Sequence, residues 1–298
     1  VMTSNGRGLL PPGHALAVPM SPSLEAVRAL IASADVVLAV GTEIGPTDFD
    51  MYSLSEFPPP QHLIRIDIDG DQLRRNALPR TALRGDSAAT LTALLSQDLG
   101  PPRPHSGEVA AAAACAQALA SLSPTMQAQL QLLDLIRDTL PRALLVGDST
   151  QMVYAGLLAF AAATPGSWFN SATGYGTLGY ALPASTGAGL AAPDRPVVCL
   201  VGDGGLQFSL GELAVLREVD AWTAIVIWNN RGFGEIRTAM IAAHIQPEGV
   251  DVQPPDFALL SAAYGYRHRL IESAAALQAA LREFAGRRQV MVLELVGD

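Results

Sequence analysis

Over residues 143–295 short apolar runs alternate with helix-patterned stretches, and this alternation limits the fold more than any other feature. The runs lie at 143–148, 197–201, 223–228, 266–271 and 290–295, with helical patterns at 152–163, 178–191, 256–264 and 274–285 between them. Such a rhythm predicts a mostly parallel sheet with helices on both faces. Near-continuous apolar runs are what strands covered on both faces look like. Ligands of such sheets bind beyond the carboxyl ends of the strands. Three polar clusters sit there: Gly147-Asp148-Ser149-Thr150-Gln151, Gly202-Asp203-Gly204-Gly205 and Asn229-Asn230-Arg231-Gly232. Ser209 and Glu212 have the spacing of a capping box, which predicts a helix start.

The first hundred residues read as a smaller portion of the same α/β class. A helix is expected at 23–32, strands at 35–41 and 62–67 with Pro58-Pro59-Pro60 between them, and a closing helix at 88–97. Pro101, Pro102 and Pro104 punctuate the chain, and the Ala-rich stretch 109–122 favours helix. The expected division is a domain at 1–100, a linker at 101–124 and a domain at 125–298. That agrees with a length of 298 residues, about twice the ~150 of a typical domain.

Composition removes several function classes. All 19 basic residues are Arg, so there is no lysine for a Schiff base or a Walker-type phosphate loop. A net charge of −9 argues against a nucleic-acid partner. Cys115 and Cys199 are far apart and lack metal-ligand spacing. No apolar run approaches the ~20 residues of a membrane helix, and no signal pattern is present. A cytoplasmic location and no membrane partner are expected. The chain begins at Val1 and runs straight into the loop-like stretch 3–8, as a piece of a longer chain would.

The clusters at 202–205 and 229–232 suggest specific chemistry. Glycines at 202, 204 and 205 let the backbone turn sharply and bring N–H groups close to an anion. A carboxylate at Asp203 opposes a phosphate unless a divalent cation lies between them. Mg²⁺ takes oxygen ligands and bridges carboxylates to phosphates. Asn230 offers a second side-chain oxygen and Gly232 an unobstructed carbonyl. Each cluster alone also fits an ordinary turn.

Together, an apolar strand, Gly-Asp-Gly-Gly, a helix, an apolar strand and Asn-Asn-x-Gly resemble the signature of thiamine-diphosphate enzymes. The block from Gly174 to Ala184 is similar to the cofactor-binding turn of the acetolactate synthase and benzoylformate decarboxylase group. That likeness implies that the Gly176 carbonyl meets the aminopyrimidine and that Leu178 wedges the cofactor into a V. Ser149, Thr150 and Gln151 match the turn that contacts the diphosphate, although a plain helix cap also suits them. The resemblance implies Mg²⁺ held by Asp203, Asn230 and Gly232. It covers the later part of a Rossmann-like middle domain and a complete thiamine-diphosphate-binding fold. The pyrimidine-binding domain, with its activating Glu, has no counterpart here. No catalytic residue is therefore expected in this chain, and the site is expected to be completed across a homodimer or homotetramer.

The resemblance implies a 2-oxo acid decarboxylase, in which the cofactor ylid attacks the 2-oxo carbonyl with loss of CO₂. Alternatives are an acetolactate synthase-like carboligase and a non-catalytic relic acting in assembly. Biosynthetic acetolactate synthases carry Gln-Gly-Met-Val-x-x-Trp after the Asn; this chain has Phe233-Gly234-Glu235-Ile236-Arg237. The stretch from Gly41 to Asp48 departs from their FAD-contacting pattern, so FAD is not expected. Its loose likeness to an NAD-type turn lacks the G-x-G-x-x-G spacing. Glu235 and Ile236 match positions that face substrate. A carboxylate there suits a cationic tail such as that of 5-guanidino-2-oxopentanoate. A local pair between Glu235 and Arg231 or Arg237 is the competing reading.

Overall fold

The computed structural model describes residues 1–51, 57, 60–100 and 107–297. Pro58, Pro59, Pro101, Pro102 and Pro104 lie outside them. The chain divides into two units, Val1–Ser4 with Gly13–Leu122, and Asn5–Pro12 with Ser123–Asp298.

In the first unit, β1 (Val36–Val40), β2 (His62–Asp67) and β3 (Thr81–Arg84) form a parallel sheet in that order. The short, exposed β3 lacks the apolar run by which the other strands were expected. Helices α1 (Glu25–Ala32) and α2 (Ser87–Leu95) fall close to their expected places. Arg65 on β2 is 1% exposed. Its guanidinium donates to the carbonyls of Thr42 (2.7 Å), Arg75 (2.6 Å) and Ala77 (3.2 Å). A buried cation is tolerable only when so satisfied, and burial lowers its pKa.

The helix expected at 109–122 forms, but it is part of a unit rather than of a linker. α3 (Gly107–Ala120) buries Ala111, Ala114 and Ala118, packs on α1 and belongs to the first unit. A face of small side chains lets two helices approach closely, so an Ala-rich stretch can be packed structure. The N-terminus departs from expectation in the opposite sense, since residues 5–12 fold with the second unit. Arg7, 2% exposed, donates to the carbonyls of Gly156, Leu157 and Phe160 (the last at 3.2 Å). They lie at the end of α5, where the Gly156 carbonyl also accepts the Phe160 N–H and the last carbonyls of a helix need partners from outside it. Gly8 has φ +88, and a Cβ there would overlap the Thr164 carbonyl.

The second unit holds β4 (Leu144–Gly147), β5 (Trp168–Asn170), β6 (Val197–Gly202), β7 (Thr223–Asn229), β8 (Arg267–Ile271) and β9 (Val290–Val296). All pairings are parallel, in the order β5-β4-β6-β7-β9-β8. Helices α4 (Pro124–Thr139), α5 (Gln151–Ala159), α6 (Ala181–Ala191), the single turn α7 (Asp203–Leu206), α8 (Glu212–Glu218), α9 (Gly234–Ala242), α10 (Phe257–Ala263) and α11 (Ala274–Ala285) complete it. Val146, Val201, Ile225 and Ile227 form the centre of the core. Fully burying each such side chain is worth roughly 1.5–3 kcal/mol. α8 starts at Glu212 without a side-chain cap. Ser209 lies in the preceding 3₁₀ turn, so the expected capping box does not form.

The chain leaves β4 for β5 on one side and returns to β6 on the other. This reversal of strand order opens a crevice at the carboxyl ends of β4 and β6, where open parallel sheets bind ligands. Among the described residues no single helix is long and apolar enough to cross a membrane.

Candidate functional site

A cavity of about 290 Å³ occupies that crevice. After β4 it is lined by Ser149, Thr150 and Gln151, and from the loop after β5 by Gly176 and Leu178. The end of β6 and α7 contribute Gly202, Asp203, Gly204 and Gly205, and the turn after β7 contributes Asn230 and Gly232. Glu235 and Ile236 line it from the first turn of α9. All the residues singled out from the sequence thus meet in one cavity.

Backbone geometry explains the glycines. Gly232 has φ +149, and a Cβ there would overlap the Val250 carbonyl. A Cβ on Gly204 would lie 2.7 Å from Phe233 Cε1. Gly176 has φ +66, and its carbonyl accepts from Ser149 Oγ at 2.9 Å; a second lone pair remains.

Asp203 is 1% exposed. Burial pushes its carboxyl pKa up, against backbone N–H bonds from Gly204 and Gly232 that pull it down. Oδ2 accepts the Gly232 N–H at 2.9 Å. Asn230 Oδ1 lies 3.2 Å from Asp203 Oδ1 and 2.8 Å from the Gly232 carbonyl oxygen. Acceptors this close repel unless something positive lies among them. Oxygens around octahedral Mg²⁺ at 2.0–2.1 Å are about 2.9 Å apart along an edge. Both separations from Asn230 Oδ1 are therefore close to that edge length. Among the described residues no group of three His, Cys, Asp or Glu assembles a metal site of another kind.

Thr150 is the N-cap of α5 but makes no side-chain cap bond, so its hydroxyl is not used as a plain helix cap. Arg237 pairs with Asp251. Among the described residues no cation lies within ion-pair distance of Glu235, and the expected alternative of a local pair with Arg231 or Arg237 is not formed.

Four lining residues escaped the sequence reading: Tyr154, Trp228, Phe233 and Gly234. Spacing offered a signal for two of them. Tyr154 is one helical turn after Gln151, and Trp228 is two residues before Asn230 along an extended segment. Asp148 was also missed as a supporting group. Fully buried, it accepts from the N–H groups of Ser149 (2.8 Å) and Gly179 (2.9 Å). It thereby ties the end of β4 to the loop that carries Gly176 and Leu178. Burial, the leading cause, raises its pKa.

Residues 146–295 match the thiamine pyrophosphate enzyme C-terminal TPP binding domain, and residues 1–94 match the central domain of thiamine pyrophosphate enzymes. The chain belongs to the thiamine pyrophosphate enzymes. Its cavity lies within the part that matches the family's cofactor-binding domain. The chain is 41% identical over 295 residues to "Probable 2-ketoarginine decarboxylase AruI" of Pseudomonas aeruginosa, covering 97% of this chain and 52% of the relative. It is 29% identical to benzoylformate decarboxylase of the same organism (95% of this chain, 51% of the relative). It is 26% identical to acetolactate synthase isozyme 1 large subunit of Escherichia coli (96% and 51%). The fold matches that of Rhodococcus jostii thiamine diphosphate-dependent 4-hydroxybenzoylformate decarboxylase with a TM-score of 0.67 at 24% identity, covering 91% of this chain and 50% of that one. This thiamine pyrophosphate enzyme chain thus spans about half the length of the relatives it matches. Its parallel sheets flanked by helices are those expected for the family.

Proposed function

We propose that this chain supplies the diphosphate and metal half of a Mg²⁺-dependent 2-oxo acid decarboxylase whose substrate carries a cationic, guanidinium-like tail. The observation that carries the metal and cofactor reading is the convergence of Asp203 Oδ1, Asn230 Oδ1 and the Gly232 carbonyl at octahedral-edge spacing. In this reading those three oxygens would hold Mg²⁺, which would neutralise a diphosphate's charge. Thr150 and Gln151 would donate to its phosphate oxygens, helped by the backbone of Gly202, Gly204 and Gly205, while the Ser149 hydroxyl, which donates to the Gly176 carbonyl, would hold that loop in place. The Gly176 carbonyl would accept from the aminopyrimidine, and Leu178, half-buried beside Gly205, would offer the cofactor an apolar support. Thiamine diphosphate, when bound, supplies the electron sink that decarboxylation of a 2-oxo acid needs.

Substrate choice rests on Glu235. Its carboxylate lines the cavity and has no ion-pair partner among the described residues, so a guanidinium tail would complete an ion pair. The 41% identical 2-ketoarginine decarboxylase relative supports the same substrate class. The proposal includes a cytoplasmic homo-oligomer in which a pyrimidine-binding domain with its activating Glu completes the site. The test is a steady-state assay of the protein at its full encoded length. 5-Guanidino-2-oxopentanoate is expected to be turned over with a higher kcat/KM than phenylglyoxylate or pyruvate. Equal use of all three would remove the substrate assignment.

A further inference from the structure

Which end of the Asn230 amide carries oxygen is settled by its neighbours, and two orientations compete. Turned over, its NH₂ group would donate to Asp203 Oδ1 at 3.2 Å and to the Gly232 carbonyl at 2.8 Å. Instead its oxygen faces both acceptors, while Nδ2 donates to Gln151 Oε1 at 3.1 Å. The same Gln151 oxygen accepts from Trp228 Nε1 at 3.1 Å.

The row of groups has one end that cannot reverse. An indole nitrogen is a donor only, whereas a Gln or Asn amide presents an acceptor on one side and a donor on the other. Trp228 therefore requires the Gln151 oxygen to face it. That oxygen in turn requires a donor from Asn230. Reversing Asn230 sets two oxygens against each other, and reversing Gln151 as well sets an NH₂ against the indole N–H. The indole is confined too, since a Cβ at Gly297 would overlap its ring. We infer that Trp228 is a positioning residue which, through Gln151, turns the Asn230 oxygen toward the cation site. The inference rests on the metal reading proposed above. It adds that the amide polarity of the site is set by a residue that supplies no ligand atom.

Trp228→Phe removes the N–H and keeps an aromatic ring. Both amides then become free to reverse, and a donor would face the cation. The test is calorimetric titration of thiamine diphosphate into the protein across a Mg²⁺ series, with ligand-free melting curves as the folding check. For Trp228→Phe, the Mg²⁺ concentration for half-maximal cofactor binding is expected to rise about tenfold, with ligand-free melting close to wild type. Asn230→Asp presents oxygen in either orientation, so in that background the Trp228→Phe substitution should have no further effect. Loss of packing alone would weaken binding equally in both backgrounds, and double-mutant cycles separate the two cases. Wild-type Mg²⁺ dependence in Trp228→Phe, or an equal loss in the Asn230→Asp background, would overturn the inference while leaving the proposed function standing. A wild-type protein that takes up no Mg²⁺ with the cofactor would overturn both.

Discussion

The Gly232 N–H donates to Asp203 Oδ2 at 2.9 Å, so the turn after β7 braces the carboxylate that ends β6. The same Gly232 directs its carbonyl oxygen at Asn230 Oδ1. One glycine thus braces the Asp203 carboxylate and sets its own carbonyl oxygen beside Asn230 Oδ1, with a φ of +149 that a side chain rarely adopts.

Burial makes ionised Asp203 costly in the absence of a cation, as its raised pKa records. Asp203→Asn should therefore leave the ligand-free melting temperature equal or higher. The upward shift produced by thiamine diphosphate with Mg²⁺ should disappear. Differential scanning fluorimetry with and without both ligands measures each quantity, and a ligand-free variant several degrees less stable than wild type would contradict the reasoning. Function gained at the expense of stability is common at such sites.

Glu235→Gln keeps the shape and removes the charge. KM for 5-guanidino-2-oxopentanoate should rise by about tenfold with little change in kcat, because the lost interaction is made equally in ground and transition states. Pyruvate kinetics should not change. A parallel loss for both substrates would show that Glu235 acts on the site as a whole.

The Asp148 pKa is raised by burial above its unfolded value. A folded state that holds its proton more tightly gains stability below the unfolded carboxyl pKa of about 3.9 and loses it as pH rises through the folded value. The stability of wild type relative to Asp148→Asn should accordingly decline as pH is raised from about 4 toward neutrality. Urea titrations of both proteins across that range provide the comparison. A difference that grows with pH would reverse the sign.

Arg7→Ala would strip a buried guanidinium from the carbonyls of Gly156, Leu157 and Phe160. Leaving buried acceptors unsatisfied costs about 2–4 kcal/mol here, which should lower Tm by several degrees. Deleting residues 5–12 should have an effect at least as large. An Arg7→Ala protein that melts like wild type would show that the segment is not a structural part of the second unit.

Much of the second unit follows from local sequence. Apolar runs, Gly-Asp-Gly-Gly and Asn-Asn-x-Gly are properties of neighbours along the chain, and a parallel sheet delivers every strand's carboxyl end to one edge. For that reason residues as far apart as Ser149 and Glu235 were recognisable as one site before any coordinates. What a segment packs against was less legible. The helix of the Ala-rich stretch follows from its composition, but its membership of the first unit does not, because a small-residue face reveals its packing only against α1. Arg7 looked like loop because its partners lie about 150 residues away.

The sequence by itself determined the fold class, the family and most of the residues that line the cavity, Tyr154, Trp228, Phe233 and Gly234 excepted. Only the tertiary structure decided the strand order, the lack of an ion-pair partner for Glu235 among the described residues and the meeting of Trp228 with Gln151. The reason is one of range. Apolar runs and glycine turns act over a few residues, whereas a donor such as Trp228 fixes an acceptor 77 positions away only once the sheet has brought both to the same edge.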